Sequence, residues 1–125
     1  MDTARKFVIV VANGTLFDAS FTPCAAAFQT LRAVQDRCNK LLVVTKVDGA
    51  EQQEAVRQQM AALLPNVPAH HLLFCEQAKS IYSFVRQFDS LVDLVVDTFQ
   101  ESYDETAKFY PGKYHLVQQT LDRVL

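Results

Sequence analysis

Two segments of this chain have the spacing of reactive loops. The first is Val11-Ala12-Asn13-Gly14-Thr15-Leu16-Phe17-Asp18, which follows a β-branched run. A loop at a strand end does chemistry only if its side chains can attack or move a proton. Val11 and Asn13 stand at the end of the run and two residues on. Valine cannot form an acyl-phosphate or bind magnesium, and asparagine cannot deliver a proton as a carboxylic acid does. The second segment is Thr45-Lys46-Val47-Asp48. Its lysine and aspartate are polar side chains that a nucleotide could meet. A nucleotide also needs a phosphate cradle, however, and the chain has no G-x-x-x-x-G-K-[ST] loop and only three glycines. His70 and His71 are neighbours, so on a strand they point to opposite faces and cannot share one ion. No histidine pair has helical i, i+4 spacing. Cys75 ends a strand, but no nearby feature would depress its pKa, and Cys24, Cys38 and Cys75 read as small buried hydrophobes. There is no G-x-S-x-G elbow. The sequence therefore predicts no catalytic residue, no cofactor site and no metal site.

Alternating strands and helices must position these loops. Phe7 to Ala12 is a continuous apolar run, as expected of a strand buried on both faces. Thr22-Pro23 reads as a helix start, with Cys24, Ala27, Phe28, Leu31, Val34 and Cys38 on one stripe. Leu41 to Thr45 is the second strand. Asp48 with Glu51 suggests a capping box for a helix that buries Val56, Met60, Leu63 and Leu64 and ends at Pro65. His71 to Cys75 is the third strand, followed by a helix with Ala78, Ile81, Val85 and Phe88 inward. Leu91 to Asp97 is the fourth. Ser102 with Glu105 suggests a cap for a short helix, and Tyr114, Val117, Leu121 and Val124 suggest a final one. The pattern predicts one α/β domain over residues 1–125: a Rossmann-like three-layer sandwich, with a mostly parallel sheet of four or five strands and helices on both faces. Ligands then belong beyond the carboxyl ends of the strands.

Composition narrows the function further. The chain has 125 residues, 12 Lys+Arg against 14 Asp+Glu and a net charge of −2, and half of it is hydrophobic. That is too apolar for a disordered tail and lacks the basic excess of a nucleic-acid binder. Three cysteines without a C-x-x-C argue against a disulfide scaffold or zinc knuckle and favour a reducing compartment. The longest apolar run is far short of the roughly 20 residues of a membrane span.

The first loop resembles the opening motif of the haloacid dehalogenase superfamily, D-x-D-G-T-L-x-D. Gly14, Thr15, Leu16 and Asp18 keep four of its letters. Thr45 matches the serine or threonine that ends the family's second strand, and Asp97 stands near its later acidic residues. The resemblance implies a loop that keeps its shape without its reaction; a tight Asn-Gly-Thr turn is the plainer alternative. The segment Thr45 to Asp48 is similar to the N/T-K-x-D element of small GTPases. Two enzyme-class alternatives follow: a divergent phosphatase using Asp18 or Asp97, and a regulatory nucleotide-binding domain using Thr45 to Asp48.

A longer resemblance points elsewhere. Leu72-Leu73-Phe74-Cys75, then Ser83-Phe84-Val85-Arg86-Gln87 with Phe88 in place of a leucine, then Val96-Asp97-Thr98 are similar to the L-F-C, S-F-V-R-Q-L and I-D-T elements of plant members of the peroxin-22 family. The match covers about residues 72 to 98. It implies a non-catalytic Rossmann-like domain on the cytosolic face of the peroxisomal membrane, held by an anchor upstream of Met1. The family's domain recruits and stimulates the ubiquitin-conjugating enzyme peroxin-4 for import-receptor recycling. Phe109, Tyr110, Tyr114 and His115, around a Pro-Gly turn, are the expected partner contacts, because amphipathic rings on a rigid turn suit an interface.

Overall fold

The computed structural model describes residues 6–18, 20–35, 38–88, 91–109 and 114–116. Strand β1 (Lys6–Val11) runs through the middle of the sheet. It alternates between two cores. Val8, Val10 and Ala12 face one apolar cluster, and Phe7, Ile9 and Val11 face the other. A strand covered on both sides has no face to leave polar, which explains its unbroken hydrophobicity. Each fully buried valine or isoleucine contributes about 1.5–3 kcal/mol relative to exposure.

The remaining elements are α1 (Ala25–Gln35), β2 (Cys38–Lys46), α2 (Ala50–Leu63), β3 (Leu72–Cys75), α3 (Ser80–Phe88), β4 (Leu94–Asp97), α4 (Gln100–Thr106) and β5 (Tyr114–Leu116). The five strands form one all-parallel sheet in the order β3-β2-β1-β4-β5. This is an α/β, Rossmann-like fold. Ala27, Phe28 and Leu31 of α1 and Val56 and Met60 of α2 pack on one face. Ile81 and Val85 of α3, with Tyr103 of α4, pack on the other. The chain builds outward from β1 through β2 to β3. It then crosses back to β4 on the other side of β1, which opens a crevice above the carboxyl ends of the strands.

Several local expectations are corrected. Tyr114 to Leu116 is a strand, not the start of a helix: Tyr114, His115 and Leu116 register with Val95, Val96 and Asp97. Residues 117–125 lie outside the described residues, so the rest of the expected final helix does too. Helix α2 starts after Gly49, whose neighbour Asp48 donates its backbone N–H to Gln52 Oε1 at 2.7 Å; no Asp48–Glu51 capping box forms. Helix α1 starts at Ala25 because Pro23 bridges to Phe17 and Cys24 accepts the first helical hydrogen bond from Phe28. Cys38 belongs to β2, and Cys24 is exposed. His70 and His71 lie in a 3-10 turn before β3, with ring centroids 4.4 Å apart. Strand β4 begins at Leu94, leaving Leu91 67% exposed.

Candidate functional site

A cleft of about 460 Å³ opens at the carboxyl edge of the sheet, lined by residues that include Asn13, Asp18, Lys46, Asp48, Thr98 and Phe99. These come from the last residue of β2 and from the loops after β1, β2 and β4, the places where the sequence predicted a site. The loop after β1 first winds one helical turn. Thr15, Leu16 and Phe17 all donate their backbone N–H to Ala12 O, at 3.2, 2.9 and 3.1 Å, and Gly14 donates to Phe17 O at 2.7 Å. Gly14 has φ +80°, left-handed backbone that an L side chain resists. Thr15 closes the turn with its hydroxyl on Val11 O at 2.6 Å. The chain then forms a small flap in which Asp18 donates its N–H to Thr22 O and Phe21 donates to Asp18 O. The Asp18 carboxylate accepts from the backbone of Ser20 at 2.8 Å and Thr22 at 3.0 Å. Phe21 sits at φ +59°, a conformation costing a phenylalanine about 1–3 kcal/mol.

This bonding pattern decides what the loop can do. All five amides from Gly14 to Asp18 are engaged by carbonyls of the loop itself. None is left to cradle a phosphate, which needs several backbone N–H groups aimed outward. Val11 is fully buried among the α3-side core. Asn13 uses both ends of its amide on Lys46: Nδ2 donates to Lys46 O at 2.9 Å, and Oδ1 accepts from Lys46 N at 2.8 Å. It extends the β1–β2 pairing by one residue through its side chain. An aspartate there would keep the acceptor and lose the donor.

Asp97 ends β4 with no exposed surface. A buried carboxylate is tolerable only if its lone pairs are filled. Ser102 Oγ and the Tyr114 hydroxyl both donate to Oδ2, and Phe99 N donates to Oδ1 at 2.9 Å. The three donors come from the loop, from α4 and from β5, so this one carboxylate ties three elements together. Burial, followed by the charge of Asp97 and the hydrogen bond to it, pushes the Tyr114 phenol well above its ordinary range. Ser102 is thus a core donor inside α4 rather than a helix cap, and the helix begins after Phe99 without a side-chain cap. Sequence inspection missed the Ser102–Asp97–Tyr114 cluster because its members look ordinary one by one.

The other candidates separate. Thr45 is buried at the end of β2, and its hydroxyl makes no hydrogen bond within the described residues. Cys75 is half-buried, and burial pushes its thiol up, against nucleophilic use. Among the described residues no group of three or more His, Cys, Asp or Glu could hold a metal ion, and no helix is long and apolar enough to cross a membrane. Of the expected partner contacts, Phe109 is 55% exposed in a 3-10 turn after α4, and His115 is half-buried on β5. Tyr114 does not fit that set: it is 5% exposed and its hydroxyl is spent on Asp97. Tyr110 lies outside the described residues. No protein-family model matches the chain, and no curated protein matches it.

Proposed function

We propose that this domain is a non-catalytic docking module, and that its partner is the ubiquitin-conjugating enzyme peroxin-4 of peroxisomal import-receptor recycling. The observation that carries the non-catalytic part is the inward bonding of the loop after β1. Its amides close on its own carbonyls, both ends of the Asn13 amide are held by Lys46, one carboxylate oxygen of Asp18 is held by the flap, and Asp97 accepts from three donors. Side chains that would attack or protonate a phosphate ester in such a loop hold the fold instead. The same amides argue against a nucleotide, although Lys46 and Asp48 do line the cleft. The partner rests on the resemblance of residues 72–98 to the peroxin-22 family. In the structure that block is β3, α3 and β4, with Val85 in the core and Arg86 exposed.

Docking would act by tethering, which raises the effective concentration of the enzyme beside its substrate, and by favouring one of the enzyme's conformations. A peroxisomal membrane location on the cytosolic side follows from the same resemblance. Titration calorimetry of the domain against recombinant peroxin-4 tests the proposal. A complex at micromolar concentrations is expected. No complex, or steady magnesium-dependent phosphate-ester hydrolysis abolished by Asp18→Asn, overturns it.

A further inference from the structure

The α3–α4 layer carries an aromatic and cationic patch that the fold does not use. Among the described residues, Phe109 and Leu91 are the large hydrophobics left mostly exposed. The Phe109 ring lies 6.5 Å from that of Tyr82 on α3. Both rings are covered by cations from their own chain. Arg86 donates Nη1–H to the Tyr82 hydroxyl at 2.7 Å and holds its guanidinium 5.6 Å from the ring, while Lys108 Nζ stands 5.4 Å from the Phe109 ring. Beside them, a hollow of about 400 Å³ is lined by Lys79, Ser80, Tyr82, Ser83 and Glu105. The patch thus carries Lys79, Arg86 and Lys108, with Glu105 at the hollow and Asp104 exposed next to it on α4. Among residues with described side chains the only ion pair is Arg57 with Glu54, on α2, so Lys79, Arg86 and Lys108 are not neutralised by one.

We infer that this patch is the docking face for the conjugating enzyme, and that it receives an acidic segment carrying an apolar side chain; the inference rests on the docking reading above. Charge complementarity selects the occupant. A cationic rim around aromatic anchors rewards carboxylates at the edge and an apolar group at the centre. The Arg86–Tyr82 contact also holds both side chains in place before binding, which lowers the entropy lost on association.

Calorimetry at low and physiological salt, with heteronuclear NMR mapping on the labelled domain, tests this. Phe109→Ser and the double variant Arg86→Glu/Lys108→Glu are expected to weaken binding of peroxin-4 by at least about tenfold each. Affinity of the wild type should fall as salt rises. Gln58→Glu, an exposed position on α2 in the opposite layer, should stay within about twofold. These positions are exposed, so unchanged melting curves will show that the variants fold; Lys79→Glu is the reserve. If the wild type binds and the patch variants bind equally well, or the shifted resonances centre on α1 and α2, the face is wrong and the docking reading survives. If the wild type does not bind at all, the docking reading fails and takes the face with it.

Discussion

Replacing Tyr114 with phenylalanine isolates the Asp97 cluster. The substitution keeps the ring, which packs edge-on against Tyr103 with centroids 5.8 Å apart, and removes only the hydroxyl that Asp97 accepts. Asp97 then keeps Ser102 and the Phe99 N–H but has one lone pair unfilled where water cannot reach it. A hydrogen bond to a buried charge is worth about 1.5–3 kcal/mol, so a loss of about 2 kcal/mol is expected. At ~2.1 cal/mol/K per residue over 125 residues, that lowers Tm by about 8 °C. The pH dependence supplies an independent check. The folded phenol holds its proton above 10.0, the ordinary value, whereas the unfolded one releases it there. The folded state then binds more protons, so this stabilisation is complete below pH 10 and is lost as pH rises further, at up to about 1.4 kcal/mol per pH unit. The gap between wild type and Tyr114→Phe, measured by urea unfolding, should therefore shrink from about 2 kcal/mol at pH ~8 to well under 1 at pH ~11. A Tm within about 2 °C of wild type, or a gap that stays constant with pH, would refute the assignment of Tyr114 to a buried carboxylate.

Asn13→Asp should lose about 1–3 kcal/mol, because a carboxylate oxygen replaces the amide donor facing Lys46 O, and it should show no phosphatase activity; equal stability in denaturant melts would count against that account. Thr45→Val should be neutral or raise Tm by a few degrees, since it removes a buried hydroxyl that makes no hydrogen bond within the described residues; a loss above about 1 kcal/mol would show that the hydroxyl has a partner. Iodoacetamide near neutral pH should modify exposed Cys24 before half-buried Cys75, whose thiol is pushed up by burial. Peptide mass spectrometry should show at least about a tenfold difference in rate, and equal rates would refute the burial argument.

The layer order was legible because burial leaves a periodic trace. The unbroken run Phe7 to Ala12 marked the central strand, and Ile81, Val85 and Phe88 marked the covered side of α3. Helix starts were less legible. Thr22, Asp48 and Ser102 all look like caps, yet the chain begins its helices elsewhere because Pro23, Gln52 and Asp97 claim the neighbouring groups. Tyr114 misled most. Its spacing to Val117 suits a helix, and only pairing with Val95 across the sheet makes it a strand residue.

By itself the sequence determined the fold class, the carboxyl-edge location of the cleft and the absence of a carboxylate at Val11 and Asn13, since residue identity and local period suffice for these. Tertiary structure alone decided that Asn13 serves Lys46, that Asp97 is shared by Ser102 and Tyr114, and that Phe109 meets Tyr82 at the surface. Those contacts join residues far apart in the chain or in different elements. Which of several chemically able partners a polar or aromatic group takes depends on how the layers stack, and no local pattern records that.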